Sequence, residues 1–142
     1  MTKRAVIFGG GNIGRGFIGQ LFCESGYEVV FVDVDEELMA ALNRDRKYRL
    51  EAVSNAGVEN VEIGPVRAVS SRDVEAVAAA VAEADIGATA VGANALKFIV
   101  PNLAAGLARR AAAGAAPINF IICENLHGAA AHVRGLVTAA AS

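Results

Sequence analysis

Short apolar runs alternate with four-residue apolar spacings along the 142-residue chain. Ala5-Val6-Ile7-Phe8 is a compact apolar run suited to a buried strand. Behind it, Ile13, Phe17 and Leu21 recur every four residues, which predicts a helix burying that face and running to about Ser25. Gly26 is placed to end it in a left-handed cap. Glu28 to Val32 is nearly all apolar, as expected of a strand covered on both faces of a parallel sheet. Asp35, Glu36 and Glu37 then open a second helix with acids in its first turn, where the dipole favours them. Its Leu38, Met39 and Leu42 are expected to face the sheet.

The pattern changes between Arg46 and Val69. Tyr48 to Val53 and Val58 to Ile63 alternate weakly around Ser54-Asn55-Ala56-Gly57, which predicts an inserted hairpin or meander, followed by a strand over Val66 to Val69. Ser70 and Asp73 resemble a capping box before a helix carrying Val74, Val77 and Val81. Ile86 to Val91 reads as the fourth core strand, ending at Gly92. Leu96, Ile99, Val100, Leu103 and Leu107 form a long helical stripe that Pro101 is expected to kink or restart. The segment Ala111 to Pro117 reads as a helix end and loop. Asn119 to Cys123 reads as the fifth strand, and an alanine-rich helix follows. The expected fold is α/β: one domain over residues 1–142, a doubly wound, mostly parallel sheet with right-handed crossovers, and a small β insertion around residues 48–69.

Composition narrows this picture. With 54 % hydrophobic residues the chain has material for a real core, and disorder is excluded on the same ground. A formal charge of −2 offers no electrostatic case for nucleic acid or an anionic membrane. Nothing resembles a signal peptide or a run of 18 apolar residues, so a soluble, cytoplasmic protein is expected. Cys23 and Cys123 lack metal-ligand spacing and sit in apolar runs, as buried reduced thiols would.

The chemistry concentrates in Gly9-Gly10-Gly11-Asn12-Ile13-Gly14-Arg15-Gly16, between the first strand and the first helix. A strand that turns through glycines into a helix presents backbone N–H groups and a positive dipole end to an anion. Gly9, Gly11 and Gly14 fit G-x-G-x-x-G, and Asp33 follows Gly14 by 19 residues at the end of the next apolar run. Together they read as a Rossmann-type site for a dinucleotide pyrophosphate, with an acid for the adenosine ribose. Asp33 would repel a 2′-phosphate, and Val34, Asp35 and Glu36 beside it supply no cation to receive one, so NAD is favoured over NADP. The alternative for Asp33 is a helix N-cap or turn acid; Asp35 is better placed to cap the second helix.

Arg15 stands in the first turn of a helix, where a cation opposes the dipole. Either it reaches into solvent or it meets a phosphate of cofactor or substrate. Glu124 and Asn125 follow the fifth strand, where ligands of doubly wound sheets bind. They could frame the nicotinamide or a substrate alcohol, or cap the last helix. His127 and His132 have no convincing metal partner, and no metal is expected.

Beyond the glycine motif, GGGNIGRGFIG at Gly9 to Gly19 closely resembles the amino-terminal signature of the mannitol-1-phosphate 5-dehydrogenases, within the wider polyol dehydrogenase family of long-chain mannitol and uronate reductases. The likeness continues through VDV at Val32 to Val34, TAVG at Thr89 to Gly92, the segment with Pro101 and Ala105-Gly106-Leu107, and ICEN at Ile122 to Asn125. Where that family often has alanine, this chain has Gly10. The resemblance implies NAD-dependent interconversion of fructose 6-phosphate and mannitol 1-phosphate by hydride transfer, without a metal. It also implies that the catalytic lysine belongs to a helical carboxyl-terminal domain with no counterpart here, so the 142 residues alone are expected to be inactive. The candidate cofactor contacts are Gly9, Gly11, Asn12, Ile13, Gly14, Asp33, Val34, Ala90, Val91, Gly92, Glu124 and Asn125; the candidate substrate contacts are Arg15 and Asn125. A free-standing NAD(H) sensor, or a reductase of an unphosphorylated polyol or a uronate, are the competing readings. A methyltransferase fits the full glycine motif less well.

Overall fold

The computed structural model describes residues 2–141, apart from the side chain of Ala52. The elements in order are strand β1 (Lys3–Phe8), a π-helical turn (Gly14–Ile18) leading into helix α1 (Gly19–Glu24), β2 (Tyr27–Asp33), α2 (Glu36–Asp45), β3 (Tyr48–Ser54), β4 (Gly57–Ile63), β5 (Val66–Ser70), α3 (Val74–Glu83), β6 (Ile86–Thr89), a 3-10 turn (Ala93–Ala95), α4 (Leu96–Ala112), β7 (Asn119–Ile122) and α5 (Ala129–Ala141). Five strands make one parallel sheet in the order β5-β2-β1-β6-β7. β3 and β4 pair separately as the expected antiparallel hairpin, from Tyr48 against Ile63 to Ser54 against Gly57.

The apolar runs become central strands because both sheet faces are covered. Ala5, Ile7, Val29, Phe31 and Ala68 pack beneath Ile18 and Phe22 of the first helix and Met39 and Leu42 of α2. Val6, Phe8, Val30 and Val32 face the other way, against α3, α4 and Val133 of α5. Gly106 lets α4 approach α3 closely, since a Cβ there would stand 2.5 Å from Val81 Cβ. The edge strand β5 is closed by a side chain acting as a strand: Asn43 accepts from the Ala68 N–H (2.8 Å) and donates to its carbonyl (2.9 Å).

Several expectations need correction. Ile13, Phe17 and Leu21 are 55 %, 56 % and 46 % exposed, and the first helix instead buries the adjacent row Gly14, Ile18 and Phe22. Pro101 does not restart a helix, since α4 runs through it from Leu96 to Ala112, and Pro101 itself is exposed. Asp73 alone caps α3, accepting from the Ala76 N–H at 3.1 Å, while the Ser70 hydroxyl accepts from Arg72 N–H. β6 ends at Thr89, because its partner β1 ends at Phe8 and turns away through glycine. β7 likewise ends at Ile122, although the Cys123 N–H still reaches the Thr89 carbonyl at 2.9 Å. Both cysteines are free thiols, half-buried rather than buried. Asp35 caps α2 as expected, accepting from Leu38 N–H at 3.1 Å.

Candidate functional site

The order β5-β2-β1-β6-β7 reverses direction between β1 and β6, and the glycine turn leaves β1 at that point. Gly9 has φ +108, and a Cβ there would lie 2.3 Å from the Ala90 carbonyl oxygen, so the turn lies flat against the segment after β6. A Cβ on Gly14 would lie 2.1 Å from the Gly9 carbonyl, which puts the start of the helix directly on the turn. Gly11 differs from both. Nothing lies within 4 Å of its missing Cβ, and it is exposed toward a cleft of about 520 Å³. Gly9 and Gly14 therefore serve backbone packing, and Gly11 leaves open space at the helix amino terminus.

Asp33 braces this turn from β2. Its Oδ2 accepts from Gly10 N–H at 2.7 Å, and its Oδ1 accepts from the N–H groups of Val34 (2.6 Å) and Asp35 (3.1 Å). A carboxylate has about four acceptor positions, so one remains on Oδ2 at the cleft. The bond to Gly10 is invisible to sequence spacing. Arg15 points back rather than out: its Nε donates to the Gly10 carbonyl at 2.5 Å, leaving the rest of the guanidinium beside the turn. This bond sets the Arg15 cation against a backbone carbonyl at the start of the helix.

The cleft follows the carboxyl ends of β1, β2 and β6. Of the sequence candidates, Gly9, Gly11, Asp33, Val34, Ala90 and Val91 line it. Phe98, Ile99 and Asn102 of α4, with Ser71 after β5, form a wall that the sequence reading did not assign. Val34 and Phe98 are 59 % and 72 % exposed there, an apolar pair suited to a flat aromatic base. Ile99 belongs to the apolar stripe of α4, whereas Phe98 and Asn102 fall outside it and carry no local signal for the wall. Asn12 and Ile13 are exposed at the helix start, Gly92 lies beyond Val91, and Asn125 is exposed after β7.

Glu124, expected near the nicotinamide or a substrate alcohol, bonds to the backbone of the segment after β6. Its two carboxylate oxygens accept from the N–H groups of Val91 (3.0 Å) and Gly92 (2.9 Å), so it holds the segment after β6 and through Ala90 supports Gly9. It caps no helix.

The hairpin also serves the site. The Gly19 N–H bonds to the Gly14 carbonyl, five residues back. The Arg15 carbonyl, which that N–H would meet in a regular α-helix, takes a hydrogen bond from the Tyr48 hydroxyl at 2.5 Å. Burial pushes the Tyr48 phenol well above its ordinary range, so it remains a donor at neutral pH. Tyr48→Phe should cost about 1–2 kcal/mol by chemical denaturation, with no change in secondary-structure content. A variant as stable as wild type would mean that water replaces the phenol.

Burial, with a smaller contribution from Glu24, raises the Cys23 thiol to about 11, which keeps it protonated and unreactive at neutral pH. His127 and His132 are exposed. Among the described residues, no group of three or more His, Cys, Asp or Glu side chains is placed to hold a metal ion. No helix of the described residues is long and apolar enough to cross a membrane.

Comparison with known proteins agrees with this geometry. The chain is 49 % identical to a mannitol-1-phosphate 5-dehydrogenase of Brevibacillus brevis over 124 residues, covering 87 % of this chain and 32 % of that protein. It is 46 % identical to one from Bacillus licheniformis over 131 residues, covering 92 % and 34 %. The chain thus spans about a third of the length of these relatives. In fold it resembles a Rossmann-fold NAD(P)-binding family protein from Shigella flexneri, with TM-score 0.54, 14 % identity, and coverage of 99 % of this chain and 64 % of that one. Residues 3–142 match the mannitol dehydrogenase Rossmann domain over nearly their whole length, and the chain belongs to that family.

Proposed function

We propose that these residues bind NAD(H) for an oxidoreductase that interconverts fructose 6-phosphate and mannitol 1-phosphate. The observation that carries this reading is the open position at Gly11, at a helix amino terminus, facing a cleft that also contains Asp33. The pyrophosphate would lie against the N–H groups of Gly11, Asn12 and Ile13, and the remaining acceptor of Asp33 would take a ribose hydroxyl. The base would lie between Val34 and Phe98. Ala90, Val91 and Gly92, held by Glu124, would support the nicotinamide end near Asn125. When bound, the nicotinamide supplies or accepts the hydride; this chain's residues orient it. Arg15 keeps donors free for a phosphate of cofactor or substrate.

The acid/base that moves the hydroxyl proton belongs, on this reading, to a further domain of a longer enzyme. The exposed row Ile13, Phe17 and Leu21, which starts beside the glycine turn, supports this, because apolar side chains in such a row are normally covered. So does the share of the relatives' length that the chain spans. Two unpaired thiols suit a reducing compartment such as the cytoplasm.

Calorimetric titration of the 142-residue chain with NADH should give one site per chain, and the chain alone should not oxidise mannitol 1-phosphate. Absence of NADH binding would reject the reading. Turnover by the chain alone would place the acid/base among these residues and reject the assignment to a further domain.

A further inference from the structure

NAD and NADP differ only at the adenosine 2′-position, a hydroxyl in one and a phosphate in the other. On the reading proposed above, that edge of the cofactor lies over Asp33. The residues that follow Asp33 in sequence are Val34, Asp35, Glu36 and Glu37, none of them a cation. The neighbouring strand supplies one. Asp33 is paired in register with Ser70, and the Ser71 N–H donates to the Asp33 carbonyl at 2.9 Å. Ser71 lines the cleft beside Asp33 and Val34. The next residue, Arg72, reaches across to Glu36, the first residue of α2, with Nη1 3.2 Å from Oε1. The guanidinium therefore spans the lip of the cleft, between the end of β5 and the start of α2.

We infer that Arg72 is a receptor for an adenosine 2′-phosphate that Glu36 holds in check. Discrimination against NADP is then a charge balance among Asp33, Glu36 and Arg72, and not a lack of room or of a cation. The inference rests on the dinucleotide reading. Arg72 and Glu36 are 71 % and 73 % exposed, so their pair is weak and opens readily. A phosphate offers the planar guanidinium a bidentate partner of higher charge than the carboxylate it would leave. Asp33 remains the opposing group, since its carboxylate would repel that phosphate.

The test is a double-mutant cycle on the full 142-residue chain, with NADH and NADPH titrated into wild type, Glu36→Gln, Arg72→Ala and the double variant. Both side chains are exposed, so all four proteins should fold. Glu36→Gln should raise NADPH affinity relative to NADH by about fivefold. In the Arg72→Ala background the same change should shift that ratio by less than about twofold. A gain that persists without Arg72 would reduce the effect to removal of one negative charge and overturn the inference, as would no gain at all. If NADPH binds wild type too weakly to titrate, the cycle is run in Asp33→Asn, whose side-chain oxygen can still accept from Gly10 N–H. Failure of wild type to bind NADH would instead reject the dinucleotide reading, which keeps the two outcomes distinct.

Discussion

Gly11→Leu is expected to lower NADH affinity by about a hundredfold or more while moving the thermal midpoint by only a few degrees. A Cβ at residue 11 would have no protein atom beyond its chain neighbours within 4 Å, and the position opens onto the cleft, so the substitution is expected to meet little steric resistance in the free protein. The cost of leucine at the start of a helix is about 1 kcal/mol at most. On the proposed reading the same space takes the pyrophosphate, and the isobutyl group would occupy it. Gly9→Ala is the control with the opposite outcome. Its Cβ would stand 2.3 Å from the Ala90 carbonyl at φ +108, so the turn itself must break and the domain should lose stability. Calorimetry paired with thermal melting separates the two effects. Wild-type NADH affinity in a folded Gly11→Leu protein would mean that the pyrophosphate does not lie on this turn.

Arg110→Met is expected to destabilise the domain by about 3 kcal/mol, or roughly 10 °C in midpoint, with NADH binding retained by the folded protein. Arg110 is only 7 % exposed and faces carbonyls, not a carboxylate. Its Nη1 donates to the carbonyls of Val81 (3.1 Å), Ala82 (3.0 Å) and Ala84 (2.6 Å) at the end of α3. Its Nη2 donates to the Ala116 carbonyl at 2.5 Å, in the loop before β7. A cation at a helix carboxyl terminus is favoured by the dipole, and here it also ties that terminus to the next strand's entry. Methionine keeps most of the apolar stem, so the loss reports the hydrogen bonds. Desolvation of the guanidinium already offsets part of their worth, which is why the estimate stays below the sum of four charged hydrogen bonds. Arg110→Lys should recover only part of the loss, because one ammonium cannot reach both groups of carbonyls. A methionine variant within about 1 kcal/mol of wild type by denaturant titration would show that water satisfies these carbonyls equally well.

Arg110 also illustrates where sequence reading stops. Beside Arg109 and among alanines it looks like an ordinary basic residue in the last turn of a helix, yet Arg109 is exposed and pairs with Glu75 while Arg110 is buried. Nothing local separates the two; the difference is one helical step of about 100° relative to α3. Glu124 presents the same problem. Its place after β7 marked it for the site, but contact with Val91 and Gly92 follows from the pairing of β6 with β7, which joins residues more than thirty apart. The receptor proposed at Arg72 was hidden in the same way, since β5 meets β2 only through the sheet.

The local signals were legible. Strands made of continuous apolar residues, the Asp35 cap, the hairpin around Asn55-Ala56, and the glycine turn with Asp33 beyond it are all written in neighbouring residues, because φ preference, capping and burial of a short run act over a few positions. They were enough for the α/β class, the parallel sheet and the position of the glycine turn. The face of the first helix was not among them. Ile13, Phe17 and Leu21 repeat every four residues, and so do Gly14, Ile18 and Phe22, one step around the same helix. Hydrophobicity alone favours the first row. The tertiary structure buries the second, because only the row that begins with Gly14 lets the helix backbone come down onto the Gly9 carbonyl, and that close contact sets the rotation of everything after it.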